Sequence, residues 1–203
     1  MLCLFRRSGI YDFMMKEILM GGFLAGVLCG CASTHPVSLN ALPEKPTKLQ
    51  IRNNAASLLD DLLNDEQNVD KVLVVKSASP DNTALIKLIA ATAATHKREL
   101  DEMATNDPAL NLQATDLPPG EIAARNGSSK ADEHALLLST GVNFEFNLLF
   151  SQAQAESYGQ QLATVAAKNS ENPEEMHTFE TISQTMERLD LQVITAIRTL
   201  PEK

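Results

Sequence analysis

His96 and Glu99 stand three residues apart, a spacing that puts both on one face of a helix, and His96 interrupts a stripe of apolar residues running from Ile86 and Ile89 through Ala93 to Leu100 and Met103. An imidazole so placed is either a satisfied core histidine or the beginning of a metal site. Glu66 and Glu156 are the carboxylates that would complete such a site, giving the set His96, Glu99, Glu156 and Glu66. Zinc usually takes four ligands and carboxylate-rich iron sites take more, so this set barely reaches the count. Bundles that hold such metals in their core draw a Glu from each of two helices and Glu-x-x-His from each of the other two. The chain has one Glu-x-x-His, Glu174 to His177, in a predicted first helical turn where acidic residues are already favoured by the helix dipole. His134 has Asp132 and Glu133 beside it and Ser139 further on, but adjacency in sequence does not make a catalytic triad. The last reactive pair is Cys29 and Cys31, whose chemistry is a disulfide, a ligand set or a processing site.

The surroundings of the two cysteines decide between these. A short head with Lys16 precedes an apolar run over residues 18–28, the charge-then-apolar order of an export signal. The run falls short of the roughly 20 apolar residues that a membrane-spanning helix needs. It ends in Leu28, Cys29, Gly30 and Cys31, which resembles the lipobox of bacterial lipoproteins. The resemblance implies that residues 1–30 are removed and that Cys31 becomes the lipidated first residue. Translation is expected to begin at Met14 or Met15, because "MLCLFRRSGIYDF" adds a second basic head upstream. Removal of residues 1–30 leaves 173 of 203 residues, with 14 basic and 24 acidic side chains and a net charge of −10. That length suits one domain with a real core. The acidity argues against nucleic acid, which is bound through clustered Lys and Arg. With Cys31 acylated, no pair of thiols remains for an internal disulfide. There is no Gly-rich phosphate loop and no Gly-x-Ser-x-Gly, and the five mature aromatics are too few for a stacking platform.

Residues 31–48, with recurrent prolines and no apolar period, read as the lipidated cysteine and a flexible tether. Residues 49–203 read as a helical body. One long helix is expected from Ile51 to about Lys76, although "VLVV" at 72–75 could instead be a short strand. A second opens at Ser79-Pro80, with serine as cap and proline in the first turn. Residues 105–129 break all period and are expected to form a long loop. A third helix is expected to start after Ser128 or Ser129 and to run past Gly141, which marks a kink or a close helix contact. The fourth is the clearest: Asn172 caps, Pro173 opens, and Phe179, Ile182, Met186, Leu189 and Val193 keep 3/4 spacing up to Pro201. The expected fold is all-α, a four-helix bundle with its long loop between helices two and three.

Several short motifs resemble an exported, ferritin-like bacterial family of unknown function over about residues 50–200: Ser79-Pro80, "THKREL" with His96, Leu117-Pro118 leading to "DEHALL", and "GVNFEF" with Gly141, Phe144 and Glu145. The resemblance implies a ferritin-like bundle. Family members carry further histidines in Asp-His and Glu-His pairs where this chain has Ala155-Glu156 and Glu187-Arg188. An arginine beside a metal would oppose cation binding. The expectation is therefore a non-enzymatic lipoprotein on the periplasmic face of a Gram-negative outer membrane, with a structural or interaction role. Ala32 after Cys31, rather than Asp, points to that membrane. Its partners are the membrane, through the anchor, and other envelope proteins; it carries lipid and no other cofactor. The alternative is a ferritin-like metal-binding protein using His96, Glu99, Glu156 and Glu66.

Overall fold

The computed structural model describes residues 45–114 and 116–201. Cys31, the apolar leader and the tether up to residue 44 lie outside the described residues. The rest is all-α: α1 is Lys48–Glu66, α2 Pro80–Asn106, α3 Pro119–Leu138, α4 Gly141–Asn169 and α5 Pro173–Arg198. None of these helices is long and apolar enough to cross a membrane.

Local chemistry sets most of the helix starts. Thr47 and Gln50 form a reciprocal capping box at α1, each side chain accepting from the other's backbone N–H at 3.2 and 2.8 Å. Ser79 and Asn172 cap α2 and α5, with Pro80 and Pro173 in the first turns as expected.

The end of α1 departs from expectation. The helix stops at Glu66, where Gln67 N–H bonds the Leu63 carbonyl, and the chain continues as a 3-10 segment, Val69–Val74. Val69 and Val72 are three apart, the repeat of a 3-10 helix, so this winding buries both, while Val74 and Val75 remain 85% and 70% exposed. "VLVV" is neither strand nor a continuation of the α-helix.

The expected third helix is two helices. Pro119 opens α3 after only twelve intervening residues, 107–118, so the loop is much shorter than anticipated. Gly120 and Gly127 are accommodated inside α3 with open space around both. The chain then reverses at Ser139-Thr140, and α4 starts on Gly141 with φ +56°, a left-handed conformation that suits glycine. Gly141 makes no close contact. The tight approach is at Gly159, where a Cβ would lie 2.6 Å from Met186 Sδ and 2.9 Å from Leu62 Cδ2.

Side-chain links give the directions of the helices. Arg52 on α1 reaches Glu175 at the start of α5 (2.8 Å) and Asp107 just past α2 (3.2 Å), which places these three ends together at the base of the bundle. At the opposite tip, Lys76 donates to the Ser139 carbonyl (3.0 Å) and Asn82 to Glu145. So α1 and α5 run one way and α2 and α4 the other. α1 packs on α2 and α4, and α5 on α2 and α4. Because α2 and α4 are parallel, their connection must return along the whole body. α3 makes that return against α4, held by Arg125 on Tyr158 (2.9 Å) and burying Leu136 as its single fully covered side chain.

The core is two apolar blocks stacked along the bundle. The basal block holds Leu59, Leu63, Leu100, Leu162, Phe179 and Ile182. The distal block holds Val69, Ile86, Ile89, Phe144, Leu148 and Val193. Each fully buried Leu, Ile or Phe contributes about 1.5–3 kcal/mol, so both blocks are substantial. Gly159→Ala is expected to lower stability by about 1–3 kcal/mol through overpacking, measured by chemical denaturation. In a double-mutant cycle Met186→Ala should cost less in the Gly159→Ala background than in the wild type, because it empties the space into which the new methyl intrudes.

Candidate functional site

Between the two apolar blocks lies a polar layer. Glu66 closes α1, three residues after basal Leu63 and three before distal Val69. From α4 come Gln152 and Glu156, one turn apart and therefore on one helix face. Glu66, Gln152 and Glu156 are 1%, 0% and 2% exposed. Burial pushes the Glu66 carboxyl up to about 7, partly offset by the facing Gln152 carboxamide. Glu156 is held well above the ordinary carboxylate range by burial first, then by the charge of Glu66 and of Asp190 on α5. Asp190 is itself raised by burial.

The layer is poorly satisfied. Oε2 of Glu66, Oε2 of Glu156 and both polar atoms of Gln152 lack a well-formed hydrogen bond. Such orphaned atoms are costly inside an apolar core, and ionised ones far more so. Two like charges sharing an enclosed site raise each other's affinity for a proton. The layer can therefore hold a proton and release it around neutral pH.

His96 belongs to a different place. It is buried on α2, with Nδ1 2.8 Å from Glu99 Oε2 and Nε2 unpartnered. Glu99 lines a groove of about 330 Å³ between α2 and α5, and His177 lines it from the facing helix. The four residues anticipated from sequence thus fall into two pairs, His96 with Glu99 and Glu66 with Glu156. Among the described residues no three His, Cys, Asp or Glu side chains are gathered as a metal site. His134 is exposed, and the Ser139 hydroxyl donates to the Leu136 carbonyl (2.8 Å), so the two form no catalytic pair. Arg188 is exposed and donates to Thr185 (2.9 Å), turned away from the layer.

Sequence reasoning missed Gln152 and Asp190. Gln152 carried a usable signal, since it continues the stripe Leu148, Glu156 and Gly159 by helical steps. The residues of "GVNFEF" have local structural work: Gly141 starts α4, Phe144 fills the distal block, and Glu145 accepts from Asn82 at the start of α2. The sequence matches no protein-family model, no curated protein and no solved structure.

The raised carboxyls give a definite pH dependence. For Glu66 the contribution to stability is full below the unfolded value of 4.5 and is lost as pH rises through about 7; Glu156 and Asp190, also raised, act in the same direction. The Glu66 contribution is on the order of 3 kcal/mol. Asp107 and Glu145 are shifted down and act oppositely, losing their contribution as pH falls below the ordinary carboxylate range. Thermal unfolding should therefore show greater stability near pH 5 than at pH 8.5, and Glu66→Gln with Glu156→Gln should remove most of that difference.

Proposed function

We propose that the chain is a lipid-anchored envelope protein. It is held by acylated Cys31 on the periplasmic face of the outer membrane and acts through its helical body in a structural or interaction role. The observation that carries this reading is the apolar run closed by Leu28, Cys29, Gly30 and Cys31, followed by a proline-rich stretch that separates it from the first capped helix at Thr47. Two or more acyl chains anchor stably, so the body is free to present its surface to other proteins. Phe146 and Phe150 support the interaction role: they stack on the outside of α4, ring centroids 5.9 Å apart, and both are more than two-fifths exposed.

On this reading the fold is ferritin-like. The support is the connectivity, two antiparallel hairpins, α1/α2 and α4/α5, joined by one long crossover. No catalytic role follows from the His96 pair or from the buried layer, and the acidic body fits no nucleic-acid partner.

Mass analysis of the protein extracted from fractionated membranes tests the proposal. The expected result is an outer-membrane protein whose first residue is Cys31 carrying acyl chains, with Cys31→Ser abolishing both acylation and membrane retention. A mature peptide spanning Cys29 to Cys31 would refute the anchor. Stoichiometric metal in the same preparation, lost in His96→Ala, would replace the structural role by metal handling.

A further inference from the structure

The polar layer divides the molecule at a mechanically significant level. Below it, α1, α2, α4 and α5 all contribute to the core, and the base is tied by Arg52 to Asp107 and Glu175. Lys97 adds a second link on that side, to Asp60 at 3.1 Å. Above it, α1 has ended, and its place is taken by a 3-10 segment, whose hydrogen-bond geometry is poorer than that of an α-helix. The distal block is thus built from three long helices, a short segment and Leu136 of α3. At its boundary with the basal block, buried side chains of two helices, Glu66 on α1 and Gln152 and Glu156 on α4, carry unpartnered polar atoms with no cation beside them.

We propose that the Glu66–Gln152–Glu156 layer is a protonation-controlled joint: protonated, it couples the two core blocks into one unit, and ionised, it admits water and lets the distal block open while the basal block stays closed. The groups acting on the pair are few. α1 supplies Glu66 itself, whose neighbour Asp65 is engaged in an interaction of its own. α4 supplies Gln152 and Glu156, and α5 supplies Asp190. α2 and the 3-10 segment bring apolar residues to this level, Ala90 and Val69. No cation is among the groups acting on either carboxyl. A second negative charge in the layer therefore has only Gln152 and incoming water to stabilise it, and an orphaned buried charge costs far more than an orphaned neutral carboxyl. Hydration is the cheapest relief, and the side with weaker local structure opens to allow it.

Amide hydrogen exchange of the full chain at pH 5 and pH 8.5, with labelling times scaled to the intrinsic exchange rates, tests the joint. Protection is expected to fall about tenfold or more at the higher pH over residues 69–76, 80–90, 141–152 and 189–198. Residues 48–62, 93–106 and 173–186 should keep theirs. In the Glu66→Gln, Glu156→Gln double variant the distal segments should stay protected at both pH values. Equal loss in both blocks, no loss in either, or a pH effect that survives in the folded double variant would overturn the proposal. The wild-type comparison decides on its own should the double variant fail to fold.

Discussion

Two carboxylates enclosed between apolar blocks, with no positive charge to answer them, set the terms for the rest of this bundle. An ionised carboxylate in such a place would be prohibitively expensive, so the folded state retains a proton there that an exposed glutamate would give up. The helices are arranged around this requirement. α1 ends on Glu66, the core divides at its level, and the nearest tight helix contact, Gly159 against Met186 and Leu62, lies one turn below Glu156. The basal ion cluster is the opposite solution to burying charge. There Arg52 meets two carboxylates within 3.2 Å, so a cation answers the buried charge, although burial still raises the Glu175 carboxyl.

The two solutions explain why chemistry anticipated from spacing alone resolves differently in three dimensions. His96 and Glu99 were legible because three residues along a helix is a fixed distance, and their contact follows directly. Glu66 was legible as an interruption of an apolar seam. Its partnership with Glu156 was not, because that depends on how α1 and α4 align, which no local pattern encodes. Gln152 escaped notice because an amide in an Ala- and Gln-rich helix resembles a surface residue until its neighbours are known.

The same division applies to the elements. The starts of α2 and α5 were readable because Ser79-Pro80 and Asn172-Pro173 act on their own first turns. The end of α1 was not, because a 3-10 winding and an α-helix both carry Val69 and Val72 at compatible spacing, and the choice falls to tertiary burial. The first half of α3 was missed and its second half was merged with α4. Glycine at 120 and 127 weakens helix propensity, and nothing short of the return path along α4 requires a helix there.

That return path has a consequence for how copies of the chain relate to one another. Each hairpin, α1/α2 and α4/α5, is contiguous in sequence, and they are joined covalently by a segment that lies outside the four packed helices. α3 contributes a single fully buried side chain, so little holds it to the hairpins it connects. Swung out as an arm, it would let the second hairpin of one molecule dock on the first hairpin of another with the contacts between the hairpins preserved and only Leu136 withdrawn from the core. Reciprocal exchange of this kind gives a domain-swapped dimer at little cost in core packing. An anchor at Cys31, as proposed, would concentrate chains side by side and favour it.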